Sequence, residues 1–190
     1  MAAEIVALVG VVVGAGASYM ITALSERARW RRQLDVRWDE RRLAAYSDYA
    51  GSIKNIVAIA NRLAGHRGLT PHGTPLEPTA QNLALLDDAE DRRIAMVETV
   101  RLLTDTDTMT AVTALNHSVW HLSSMSSGRA PGDPDEWAAA FATYRRARNE
   151  FHRCARATLG IPGVAVSRNM TWPPRWVRGS GPAGAAGSAP

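Results

Sequence analysis

Twenty consecutive residues without a charge, Ile5 to Leu24, are the feature that most constrains this chain. At about 1.5 Å per residue, a helix of that length spans about 30 Å, which is the thickness of the hydrocarbon core of a bilayer. A helix in lipid satisfies its own backbone hydrogen bonds, and the glycines in this run are tolerated in membrane spans. The run predicts a transmembrane helix over 5–24, with residues 1–4 outside the cytoplasm.

The flanking charges predict the orientation of this helix. Only Glu4 precedes it, whereas four arginines follow it closely, namely Arg27, Arg29, Arg31 and Arg32. The positive-inside rule places that side in the cytoplasm. Trp30 lies about 9 Å along the helix beyond Leu24, near headgroup depth, where indole is favoured. We expect a single-pass protein of the cell membrane with its N-terminus outside, and lipid contacts at these four arginines and Trp30.

Three other interpretations of the first residues compete with a span. Ala15-Gly16-Ala17 resembles a signal-peptide cleavage site, but no basic residue precedes the apolar run. Val11 to Gly16 resembles the strand and glycine turn of a dinucleotide fold, yet Tyr19 stands at the third glycine position. A buried helix of a soluble domain is the third, although a run this long without a polar residue is unusual for one.

A row of small residues lies along one face of the predicted span. Gly10 and Gly14 form a GxxxG pair, and Ser18 continues the row. Small residues at this spacing let two helices approach closely in lipid. We expect the span to self-associate through this face, giving a homo-oligomer, although glycine is also common in spans that do not associate.

Beyond the span, the pattern predicts an all-α fold. Residues 25–42 form an Arg-rich juxtamembrane stalk, with seven arginines against Asp35, Asp39 and Glu40, and residues 43–162 form a cytoplasmic antiparallel helical bundle. The transmembrane helix continues into the first long helix, and no segment alternates with the period of a strand. The helices are expected from the stalk to about Ala64, from about Thr79 to Leu103, from about Thr108 to Ser123, and from Asp133-Pro134 to Gly160.

Residues 163–190 are poor in bulky aliphatic residues and end in glycine, alanine, serine and proline. Such a segment buries too little surface to fold, so a disordered tail is expected. Within it, tryptophans alternate with arginines and no acid is present; the residues concerned are Trp172, Arg175, Trp176 and Arg178. This pattern favours contact with an anionic membrane surface or an acidic partner, and packing of Trp172 on the bundle is the alternative.

The residues that could carry chemistry do not form a recognisable catalytic pattern. His117 and His121 have the i,i+4 spacing of metal ligands, but a zinc site needs further ligands, and HExxH and CxxC are absent from the sequence. The acidic residues Asp87 to Asp91 are interpreted as a solvated helix face, and Cys154, the only cysteine, as a small core residue. We therefore predict a protein that is not an enzyme and binds no cofactor or metal.

The chain resembles a loose group of single-span proteins from high-GC Gram-positive bacteria, some of them similar to KilB-type proteins of plasmid spread. The resemblance rests on the stalk, on Trp38 to Tyr46 (WDERRLAAY) and on Tyr144 to Phe151 (YRRARNEF) with Ala157 to Gly160 (ATLG). It covers residues 1 to about 162. It implies the architecture above and a role in plasmid transfer between cells, and it implies no catalytic residue.

Two functions follow as expectations. The first is a membrane-anchored interaction or scaffold protein with an unknown cytoplasmic protein partner. The second is nucleic-acid binding at the membrane, since basic residues gather at both ends of the chain, in Arg27–Arg42 and in Arg168–Arg178, around a mildly acidic body. The stalk arginines are explained by topology alone, which favours the first.

Overall fold

The computed structural model describes residues 37–162 and the single residue Glu26. Within this part of the chain, the structure consists of four helices and contains no strand. Helix α1 is described over 37–66, and the others are α2 (Ala80–Leu103), α3 (Thr106–Ser127) and α4 (Pro134–Thr158). The predicted all-α class is confirmed for these residues. The predicted transmembrane helix, most of the stalk and the tail lie outside them.

Side-chain caps explain where the helices begin. Thr79 accepts a hydrogen bond from the backbone of Asn82 at 3.2 Å, one residue before α2 begins. Asp133 and Glu136 form the predicted capping box, in which each side chain accepts from the other's backbone nitrogen, at 2.8 and 3.1 Å. These contacts satisfy N–H groups that the first helical turn leaves without a partner. The predicted starts of α2 and α4 are therefore confirmed to within one residue.

Helix α3 is longer than the pattern predicted. Asp105 caps it, so it begins at Thr106 rather than Thr108, and it runs to Ser127 rather than Ser123. The serines of its last turns are buried or half-buried, and the Ser127 hydroxyl donates to the carbonyl of Ser123 at 2.7 Å. Serine hydroxyls satisfied in this way continue a helix that composition alone would end. Gly128 then closes the helix with a positive φ of 83°.

Contacts between helix ends show that the four helices run up and down. Arg42 near the start of α1 donates to the carbonyl of Leu103 at the end of α2, at 2.9 Å. Thr158 at the end of α4 donates to Asp105 at the start of α3, at 2.8 Å. The starts of α1 and α3 and the ends of α2 and α4 thus lie together, and we call this end of the bundle (37–46, 102–108 and 156–162) the entry pole.

Aromatic rings on α1 and α4 form the centre of the core. The Phe151 ring meets Tyr49 edge to face at 5.1 Å between centroids and Tyr46 at 6.0 Å. Tyr49 also donates to Asn116 on α3 at 2.9 Å, so its buried hydroxyl has a partner. The remaining large side chains that are fully buried are Ile53, Ile56, Leu63, Leu86, Leu115, Leu122, Met125, Val100, Val112 and Val119.

One residue of the apolar face predicted for α2 is not buried. The spacing of Leu83, Leu86, Ile94, Val97 and Val100 predicts one apolar face of α2 with Ile94 in the core, but 53% of Ile94 is exposed, whereas Leu86, Ala89, Val97 and Val100 are buried. At 100° per residue, Arg93 lies near the middle of the arc that these four define, and Ile94 lies outside it. The buried face of α2 is therefore centred near Arg93, and of the predicted face only Ile94 lies on the surface.

Candidate functional site

The site residues predicted from the sequence lie outside the described part of the chain. They are the small-residue row Gly10, Gly14 and Ser18, the stalk residues Arg27, Arg29, Trp30, Arg31 and Arg32, and the tail residues Trp172, Arg175, Trp176 and Arg178. Among the helices of residues 37–162, none is both long and apolar enough to cross a bilayer. The predicted span Ile5–Leu24 lies outside the described residues.

The entry pole carries much of the exposed apolar surface of the bundle. Four large side chains near it are exposed: Trp38 by 45%, Leu43 by 55%, Leu102 by 85% and Ile161 by 40%. The Arg41 guanidinium lies 5.3 Å from the centre of the Trp38 ring, a cation–π geometry. Exposed apolar residues interspersed with arginine are typical of surfaces that meet a membrane or a partner protein.

A hydrogen-bonded cluster fixes the helix ends at this pole. Asp105 accepts from the backbone of Thr108 at 2.7 Å and from the hydroxyl of Thr158 at 2.8 Å. The two threonine hydroxyls lie 2.9 Å apart, and the Tyr46 hydroxyl meets Thr104 at the same distance. The backbone hydrogen bond from Thr108, helped by that from Thr158, lowers the pKa of Asp105. The cluster ties α3 to α4, and Tyr46 joins α1 to Thr104 beside it.

We expect Asp105→Ala to lower the free energy of unfolding of the bundle by about 1 kcal/mol, because it removes an N-cap. Asp105→Asn should lower this free energy less. The folded-state pKa of Asp105 lies below its unfolded value, so the charge contributes stability above the unfolded pKa, and this is lost as pH falls through the folded value. Chemical unfolding at pH 7 and at acid pH measures both effects. A loss in Asp105→Ala that does not shrink at acid pH would contradict the charge contribution.

A groove of about 650 Å³ lies between α3 and α4, and both His117 and His121 line it. Both histidines are exposed. On the opposite wall, one carboxylate oxygen of Glu136 accepts the capping-box hydrogen bond from the backbone N–H of Asp133. Within residues 37–162, no three His, Cys, Asp or Glu side chains come together in a way that would hold a metal ion.

Cys154 is buried in α4 with 5% of its surface exposed, which confirms its interpretation as a core residue. Burial raises the pKa of its thiol, more than Arg153 lowers it. Its Sγ lies 3.7 Å from a carboxylate oxygen of Glu150. A buried neutral thiol is a poor nucleophile, because the thiolate is the reactive form.

Part of the acidic segment of α2 is not solvated as predicted. Asp87, Asp88 and Asp91 are exposed, but the Glu90 side chain is only 16% exposed and binds Arg93, itself 12% exposed, at 2.7 Å. The other Glu90 oxygen accepts from Ser123 on α3 at 2.9 Å. The i,i+4 spacing of Asp88 and Arg92 predicts an ion pair, which does not form within the described residues. Glu90 therefore joins Arg93 on its own helix to Ser123 on α3, a link that the sequence pattern did not indicate.

Comparison of the chain with protein-family models, with curated proteins and with solved structures found no match. The resemblance to KilB-type proteins stays a prediction.

Proposed function

We propose that the chain is a non-enzymatic, single-pass membrane protein that anchors an interaction or scaffold domain on the cytoplasmic face of the cell membrane. Residues 5–24 are the span, residues 1–4 lie outside, and the helical bundle binds a cytoplasmic protein partner. The uncharged run with arginines on one side supports the span and its orientation.

The observation that carries the proposal is the position of both bundle ends at the entry pole. Residue 42 ends the predicted stalk, and residue 162 precedes the predicted tail, so the two segments attach at the same end of the bundle. In the proposed orientation this end, which carries the exposed Trp38 and Leu102, faces the inner leaflet across the stalk. An arginine near an anionic leaflet gains about 1 kcal/mol, so Arg175 and Arg178 strengthen the same attachment.

The experiment that tests the proposal is the fusion of topology reporters to either end of the full chain, combined with carbonate extraction. We expect the chain to stay in the membrane pellet, with the C-terminal reporter active only in the cytoplasm. Changing Arg27, Arg29, Arg31 and Arg32 to Gln should weaken this orientation, because the charges that set it are gone. As a matched control, the same change at the bundle residues Arg92, Arg101, Arg145 and Arg146 should not. Extraction of the intact chain by carbonate, or a C-terminus outside the cell, would overturn the proposal.

Self-association of the span is tested separately in a membrane two-hybrid assay. Gly14→Leu is expected to weaken the signal, since a leucine in the small-residue row keeps the helices apart. Gly16→Leu is the matched control: it makes the same change about 200° away around the helix. Equal signals from the two variants would exclude packing through Gly10, Gly14 and Ser18, and leave the anchor proposal intact.

Nucleic-acid binding at the membrane is the alternative function, with plasmid transfer as its setting. Its support is that the basic segments 27–42 and 168–178 attach at one pole, where their arginines would contact the same phosphate backbone. Binding of DNA by the full chain that falls steeply with salt would favour this function. No binding at low salt would exclude it.

A further inference from the structure

A cavity of about 240 Å³ between α1 and α4 has no place in the proposed function. Three side chains that carry or can carry positive charge line it: Lys54 from α1, and Arg148 and His152 from α4. Lys54 is the only lysine in a chain whose other strongly basic residues are all arginines. Gly51, which has no side chain to fill the space, lines the cavity on the α1 side.

The positive groups of the cavity are not balanced by acids. No Asp or Glu lines the cavity, and none of the three residues takes part in a salt bridge within 37–162. The Nε of Arg148 is buried and has no hydrogen-bond partner, while its guanidinium carbon lies 5.9 Å from the Tyr144 ring centre. A buried donor without an acceptor costs free energy, which an anion in the cavity would recover.

The floor of the cavity is apolar. Ile53 from α1, Leu115 from α3 and Phe151 from α4 are almost completely buried and line it. Burial lowers the pKa of His152, and the neighbouring Arg148 lowers it further. An uncharged imidazole with one N–H donor is therefore favoured beside the cations Lys54 and Arg148. The cavity thus combines an apolar floor with a rim of hydrogen-bond donors, which is the composition of small-molecule sites.

We propose that this cavity binds a small organic carboxylate with an aromatic or aliphatic body. The apolar body lies against Leu115 and Phe151, and the carboxylate accepts hydrogen bonds from Arg148 and Lys54. The planar guanidinium of arginine matches the two oxygens of a carboxylate. The volume is below the range of about 300–1,000 Å³ for drug-sized ligands, which limits the ligand to a small molecule.

The experiment uses the full chain in nanodiscs and two probes, benzoate and hexanoate, with benzamide and hexanamide as uncharged controls. Binding is followed by saturation-transfer NMR of the probe and by the ring resonances of His152. We expect at least one carboxylate to bind and to shift the His152 resonances, and neither amide to do so. The absence of binding by both carboxylates, or equal binding of the amides, would overturn the proposal.

Two variants locate the bound probe. Arg148→Gln removes the charge and should weaken carboxylate binding at least about tenfold. Gly51→Leu should do the same by filling the cavity, because a Cβ at this position meets no atom within 4 Å and the backbone need not move. Arg92→Gln, an exposed change on α2, is the matched control and should bind as the original chain does. Unchanged affinity in both folded cavity variants would overturn the proposal.

Discussion

Phe151→Ala is expected to lower the free energy of unfolding of the helical domain by about 3–5 kcal/mol. Only 1% of Phe151 is exposed, and its ring makes edge-to-face contacts with Tyr46 and Tyr49 on the opposite helix. Alanine would leave a void among these rings that close-packed neighbours fill only in part. The loss would loosen the contact between the first and last helices of the bundle. Denaturant unfolding of the full chain, followed by circular dichroism at 222 nm, measures it.

The chain contains one matched control for this change. Phe141, the only other phenylalanine, lies ten residues earlier on the same helix and is only partly buried. Its ring contacts Trp137 and Tyr144 on its own helix. Phe141→Ala should therefore cost less, about 1–2 kcal/mol, because less apolar surface is lost from the core. Equal losses in the two variants would mean that Phe151 does not hold α1 and α4 together.

The features predicted correctly from the sequence are local ones. The capping box at Asp133 and Glu136 depends on four consecutive positions, so the spacing alone predicts it. The helical period also predicted the four helices. From an even number of antiparallel helices it follows that the chain enters and leaves the bundle at one end, which the contacts at Arg42 and Asp105 confirm.

The errors arise where tertiary contacts decide. Glu90 looked solvated because glutamate usually is, but Arg93 and Ser123 both bind its carboxylate, and Ile94 lies on the surface instead. The end of α3 was predicted too early because serine hydroxyls such as that of Ser127 donate hydrogen bonds to backbone carbonyls of the same helix. The positive cavity had no sequence signal, since Lys54 and Arg148 lie 94 positions apart and meet only after the bundle forms.

Breaking the pair Glu90–Arg93 on one side is expected to cost more than removing it altogether. Glu90→Leu should lower the free energy of unfolding by about 2–3 kcal/mol, because it leaves the guanidinium of Arg93 near the core without a counter-charge. The expected loss is smaller than the loss for fully buried pairs, because 16% of the Glu90 side chain and 12% of the Arg93 side chain remain exposed to water. The double variant with Arg93→Met should return to within about 1 kcal/mol of the original, since an apolar pair of similar size removes the desolvation cost.

The pair Glu150–Arg153 separates burial from charge in this experiment. It has the same residues in the same order and spacing, with a nitrogen–oxygen distance of 2.6 Å, but the two side chains are 60% and 52% exposed. Glu150→Leu and Arg153→Met should show only a small fraction of the coupling energy found for Glu90 and Arg93, because water screens an exposed pair. Double-mutant cycles on both pairs, measured by denaturant unfolding at low and high salt, provide the comparison. Equal couplings would mean that water screens the Glu90–Arg93 pair as fully as the exposed one, and that its burial adds nothing to the interaction.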